Sequence, residues 1–111
     1  MNATEGSRLG VGPVLRATPF AMAVIAAIED DTDEVIVHDE GAYLRVLAPR
    51  VCRLSRATVE AATGSAVQFP GELEMVMSSF TGLLRMSEDG AVWWLAGEPR
   101  PAIPGSDREE A

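Results

Sequence analysis

Between Val11 and Leu95, short apolar runs alternate with small or charged punctuation, and the spacing inside each run predicts its element. Val11-Gly12-Pro13-Val14-Leu15-Arg16-Ala17 reads as a short strand, with Pro13 confining its start to an edge or an entry. Thr18-Pro19 predicts a helix start. The threonine hydroxyl can cap the first turn, and proline suits the first helical position because its missing N–H has no partner there. From Phe20, apolar residues at Val24 and Ile28, with Ala21 and Ile25 beside them, form a wide stripe facing a core. Glu29-Asp30-Asp31 then sets negative charge at the helix C-terminus, where the dipole opposes it, so the helix should fray or stop there.

Glu34-Val35-Ile36-Val37-His38 and Ala42-Tyr43-Leu44-Arg45-Val46-Leu47 are β-rich, and Asp39-Glu40-Gly41 between them predicts a hairpin. Tyr43, Arg45 and Leu47 fall on one face of the second strand, Leu44 and Val46 on the other. Pro49 ends or bends that ladder, and Val51-Cys52-Arg53-Leu54 resumes it briefly. Ser55 is an N-cap candidate for a short, half-exposed second helix through Ala62, closed by Gly64. Phe69-Pro70-Gly71 marks a turn. Glu72-Leu73-Glu74-Met75-Val76-Met77 then alternates as a strand, with Leu73, Met75 and Met77 on one side and Glu74, Val76 and Ser78 on the other. The alternation breaks at Ser78-Ser79, and Gly82 suits a bulge or a close backbone approach. Leu83-Leu84-Arg85-Met86 and Ala91-Val92-Trp93-Trp94-Leu95 flank Ser87-Glu88-Asp89-Gly90 and predict a last hairpin. Its tandem tryptophans put one ring in the core and the other over the far face or an interface.

The order β-α-β-β-α-β-β-β predicts a single α+β domain with a mostly antiparallel sheet, two helices and flexible termini. The expected boundaries are a flexible arm over 1–10, a folded domain over 11–96 and a disordered Pro/Gly/acidic tail over 97–111.

Composition narrows the partners. The chain has 111 residues, 47% of them apolar, enough for one core without metal or disulfide support. Its formal charge is −8 and every basic residue is arginine, which disfavours phosphate backbones and anionic lipid and favours a basic or mixed protein surface. The single cysteine, Cys52, cannot form an internal disulfide, and the longest apolar run, Phe20 to Ile28, is too short to span a bilayer. The Met1-Asn2-Ala3-Thr4-Glu5-Gly6-Ser7 start lacks the basic and apolar regions of a secretory signal, so a cytoplasmic location is expected.

Candidate chemistry is sparse. His38 is the only histidine, so no zinc site can be built around it, and beside Asp39 it reads as a solvated strand-end residue. Cys52 lies in a strand-like run with no adjacent base to lower its pKa, and reads as a small buried apolar residue. The carboxylates cluster at element ends and turns, the pattern of a solvated surface. Asp30-Asp31-Thr32-Asp33-Glu34 lacks the bend glycine and twelfth-position glutamate of a calcium loop, and Gly10-Val11-Gly12-Pro13 precedes a strand instead of opening a helix around phosphate. No catalytic, cofactor-binding or metal-binding residue is therefore assigned. Two alternatives stay open: a ligand-binding module using Tyr43, Arg45 and Arg85, and a small enzyme using His38 or Cys52.

Four stretches, in order, carry a resemblance: Val11 to Ala17 before a helix, Gly41-Ala42-Tyr43-Leu44-Arg45-Val46, Cys52-Arg53-Leu54-Ser55-Arg56-Ala57-Thr58, and Glu72 to Gly82. Together they resemble the small coupling (effector or regulatory) proteins of bacterial multicomponent monooxygenases, the soluble di-iron enzymes, and look closest to the toluene and alkene (including isoprene) branch. The resemblance implies a regulatory protein without cofactor or catalysis of its own, monomeric when free. Its partner would be a di-iron hydroxylase oligomer, which carries the di-iron centre, with functional links to a Rieske ferredoxin and a reductase. It also implies that such a protein reshapes the hydroxylase active site and times electron delivery and oxygen activation. Val76, Met77, Ser78, Ser79, Phe80, Thr81 and Gly82 are the expected hydroxylase interface, with Phe80 standing where the methane branch has a small residue and matching the aromatic-substrate branch instead.

Overall fold

The computed structural model describes residues 10–105. Seven strands and three helices follow in the order β1 (Gly12–Arg16), α1 (Pro19–Asp31), β2 (Ile36–Asp39), β3 (Tyr43–Leu47), β4 (Val51–Ser55), α2 (Arg56–Thr63), α3 (Gly71–Val76), β5 (Met77–Thr81), β6 (Leu83–Ser87) and β7 (Gly90–Trp94). The α+β class and the antiparallel pairing agree with the pattern reading, while three details differ.

The strands form two sheets, ordered β2-β3-β1-β5 and β4-β7-β6. Strand β4 does not continue β3: the chain turns after Ala48, and β4 pairs with β7 in the second sheet. The second difference lies at Glu72–Val76, expected as the start of a strand and found as the helix α3. Leu73 and Val76, three residues apart, are the pair it buries. Its start is closed by main-chain bonds from Glu72 N to Gln68 O and Glu74 N to Pro70 O, and by the Glu72 carboxylate, which accepts from Gln68 N at 2.9 Å. Negative Glu72 and Glu74 in the first turn also suit the positive end of the helix dipole.

The third difference concerns the chain after Gly97, expected to be disordered. Ile103 is only 3% exposed and packs with Val92, Trp94 and Val51, so this segment lies over the outer face of the second sheet. Proline and glycine content predicted disorder there, but a single apolar residue meets a waiting indole. The expected N-terminal arm, except Gly10, and residues 106–111 of the expected tail lie outside the described residues.

The helix starts and stops follow their sequence signals. Thr18 Oγ1 accepts from Ala21 N at 3.0 Å with Pro19 opening α1, and Ser55 Oγ accepts from Thr58 N at 3.1 Å at the start of α2. Gly64, left-handed at φ 78°, closes α2. The main core lies between the helices and the inner faces of both sheets, with Leu15, Val24, Ile28, Val46, Leu54, Leu73 and Trp93 fully buried. Trp93 points into this core and Trp94 into the small second cluster with Ile103. Both hairpins form, β2–β3 with Asp39 opposite Leu44 and β6–β7 with Ser87 opposite Gly90.

Candidate functional site

The expected interface stretch is divided by the fold. Val76 ends α3 and is buried, Met77 to Thr81 form β5, and Gly82 joins β5 to β6. Among the described residues, strand β5 is the last strand of its sheet, bonded to β1 alone. Its register sets Thr81 opposite Gly12, Phe80 opposite Pro13, Ser79 opposite Val14 and Met77 opposite Leu15, so Ser78 is an extra residue in a bulge. The Ser78 hydroxyl donates to Val14 O at 3.3 Å and the Thr81 hydroxyl to Gly10 O at 3.1 Å. Those bonds hold both ends of β5 to β1, while Ser78, Ser79 and Phe80 stay exposed.

Phe80 is 42% exposed, and nearby Met75 and Leu83 are 70% and 44% exposed. Half of the six exposed large apolar side chains among the described residues therefore lie within Met75 to Leu83. Exposed large apolar side chains this close in sequence make the segment a candidate contact site. Met75, which the strand reading placed on one face with Leu73, gains its exposure from the helix, an exposure that alternation hid. A helical count would have separated the two.

Two backbone features shape the site. Gly82 has φ +93°, and a Cβ there would stand 2.7 Å from both Trp94 O and Val11 Cγ1. Only glycine lets the chain leave one sheet and enter the other this close to β7. At the other end, the Arg16 guanidinium of β1 donates to Met75 O near the C-terminus of α3, tying the helix end to the sheet.

The remaining candidates are dispersed. His38 is exposed on β2. Cys52 is fully buried opposite Trp93, and burial pushes its thiol up to about 12, partly offset by a hydrogen bond with Thr32 and by the Arg53 charge. A thiol held protonated in this way is a packing group, not a nucleophile. Tyr43 and Arg45 belong to β3, whereas Arg85 is carried by β6 in the other sheet, so the three residues of the ligand-binding alternative are split between sheets. A surface hollow of about 280 Å³ beside Thr32, Glu34, Arg50 and Arg53 has none of them in its lining. Among the described residues no group of three or more His, Cys, Asp or Glu side chains could hold a metal ion, and no helix is long and apolar enough to cross a membrane.

Comparison with known proteins meets this geometry from outside. An effector subunit of an alkene monooxygenase system from Xanthobacter autotrophicus (strain ATCC BAA-1158 / Py2) is 41% identical over 86 residues, covering 76% of this chain and 84% of the relative. A chain in the solved structure of a phenol hydroxylase–regulatory protein complex shares the fold with a TM-score of 0.69 at 18% identity, covering 76% of this chain and 95% of its own length. The family model of the MmoB/DmpM proteins matches residues 10–94, which is nearly the whole described fold from Gly10 to the end of β7, and the chain belongs to the MmoB/DmpM family.

Proposed function

We propose that this protein is the cofactor-free effector of a multicomponent monooxygenase. In this reading it binds the di-iron hydroxylase through Val76 to Gly82, reshapes the hydroxylase active site, and couples electron transfer and oxygen activation to oxidation of an alkene, isoprene or aromatic hydrocarbon. The observation that carries the reading is the 41% identity to an alkene monooxygenase effector subunit across most of both chains. The exposed apolar side chains of Met75, Phe80 and Leu83 support the location, because each offers area from which a protein partner can exclude water. The site residues offer hydroxyls, main chain and apolar area, which suit binding and supply no acid–base pair.

The mechanism is differential affinity. An effector shifts its hydroxylase toward a competent state only by binding that state more tightly than the resting one. The test is steady-state hydrocarbon oxidation by a cognate di-iron hydroxylase with a ferredoxin and a reductase, as this protein is titrated in. The expected result is a rate that rises and saturates near equimolar active sites. No change in rate or product distribution with folded protein would overturn the reading.

A further inference from the structure

Alternation along the ladders decides which main-chain groups of the edge strands point outward. Val11 N donates to Ala48 O and Ala48 N to Val11 O, each at 2.8 Å, which directs Val11, Pro13 and Leu15 toward β3 and leaves Gly12 and Val14 for β5. Their partners Thr81 and Ser79 therefore bond inward, and the N–H and C=O of Phe80 face away from the sheet. In the second sheet, Leu95 N donates to Arg50 O, which directs Trp93 and Ala91 toward β4 and leaves Trp94, Val92 and Gly90 for β6. Leu83, Arg85 and Ser87 bond inward, so the main chains of Leu84 and Met86 face outward. Joined at Gly82, β5 and β6 thus form one edge along both sheets.

The edges on the other side, β4 and β2, are less accessible. On β4 the same alternation turns Arg53 and Ser55 outward, and side chains meet them: Thr32 Oγ1 accepts from Arg53 N at 2.8 Å and donates to Arg53 O at 3.0 Å, while Asp31 Oδ2 accepts from Ser55 N at 2.8 Å. Strand β2 is only four residues long and runs into Asp39-Glu40, both of which discourage added strands. Along β5–β6 no proline interrupts the outward positions, among the described residues no strand pairs with them, and the exposed side chains of Phe80 and Leu83 flank them. With Arg85 its one charged side chain, and apolar at Phe80, Leu83, Leu84 and Met86, this edge is suited to strand addition.

Resting on the effector reading, we propose that the β5–β6 edge takes an extended segment of the hydroxylase as an added strand, apolar at its centre and basic at both ends. Charge selects that occupant. Glu72 and Glu74 precede the edge and Glu88 follows it, with Arg85 on β6 between them. A second copy of this chain, paired antiparallel across Gly82, would set Glu74 of each copy beside the Glu88-Asp89 turn of the other. A basic-ended segment meets attraction at both ends instead.

The test compares Met86→Pro with Met86→Ala. Both remove the same packing, but only proline deletes the outward N–H and obstructs an added strand, and at an outward edge position it leaves the β7 ladder intact. Each variant is first shown to be folded by circular dichroism and thermal melting, and its Kd for the cognate di-iron hydroxylase is then measured. The expected result is a proline variant about tenfold or more weaker than the alanine variant, as befits one lost hydrogen bond plus exclusion of the strand. In wild type, the Phe80, Leu84 and Met86 amides are expected to exchange slowly only in the complex. Tight binding with equal affinities for the two variants overturns the added strand and leaves the effector reading standing. Absence of wild-type binding overturns both, and self-association abolished by proline with unchanged hydroxylase affinity assigns the edge to a second copy.

Discussion

Phe80 and Cys52 are opposite outcomes for a residue in a strand. Phe80 sits on an edge and is 42% exposed, so removing it is expected to cost the fold little. Phe80→Ala is expected to weaken hydroxylase binding by about 2 kcal/mol, roughly 30-fold, because buried aromatic anchors dominate interfaces. Unchanged affinity with an unchanged melting temperature would remove it as an anchor. Cys52 is fully buried and its thiol is raised from 9.0 to about 12. Between those values the unfolded chain releases its thiol proton while the folded protein keeps it, so stability falls as pH rises through that window and is unaffected below it. The limit is about 4 kcal/mol, from 1.36 kcal/mol per pKa unit. Cys52→Ala should flatten the alkaline decline measured by urea unfolding, made easier to read by the absence of lysine. An equally steep decline in that variant would assign the effect elsewhere. The inert character of Cys52 was legible in its apolar strand context. The exposure of Met75 was not, since it depends on which side of a helix faces away.

At the scale of elements, the acidic end of α1 turns a local cost into a tertiary gain. Asp31 opposes the helix dipole, yet its carboxylate accepts from Ser55 N at 2.8 Å and from the Thr58 hydroxyl at 3.0 Å, tying α1 to β4 and the first turn of α2. Sequence reasoning saw the helix stop there but not what Asp31 does, because both partners lie more than twenty residues away. Asp31→Ala is expected to cost about 1–2 kcal/mol, the worth of a lost cap and its hydrogen bonds. A change below about 0.5 kcal/mol in urea unfolding would show that Ser55 and Thr58 cap the helix unaided. The misread element, α3, has a related cause. Over six residues, alternation and helical spacing fit the same letters, and docking of Leu73 and Val76 onto the core settles which one forms.

For the whole molecule, the formal charge is −8 and two sheets enclose a main core. If effector and hydroxylase are coupled as proposed, reduction of the di-iron site must change the affinity for this protein by the same factor by which the protein changes the reduction equilibrium. Binding measured to oxidised and to reduced hydroxylase should therefore give different Kd values, and equal values would remove redox linkage from the mechanism. The chain by itself determined the α+β class, the two longer helices with their Thr18 and Ser55 caps, both hairpins and the division of labour between Trp93 and Trp94. Caps, turns and periodicity act over a few residues, so their physics is written locally. Only the tertiary structure decided that β4 leaves the first sheet, that Glu72–Val76 is helical, that Ile103 covers Trp94, and that β5 and β6 are edge strands among the described residues. Each of those depends on which distant surface is available to bury an apolar side chain or pair a main-chain group, and no local pattern encodes that.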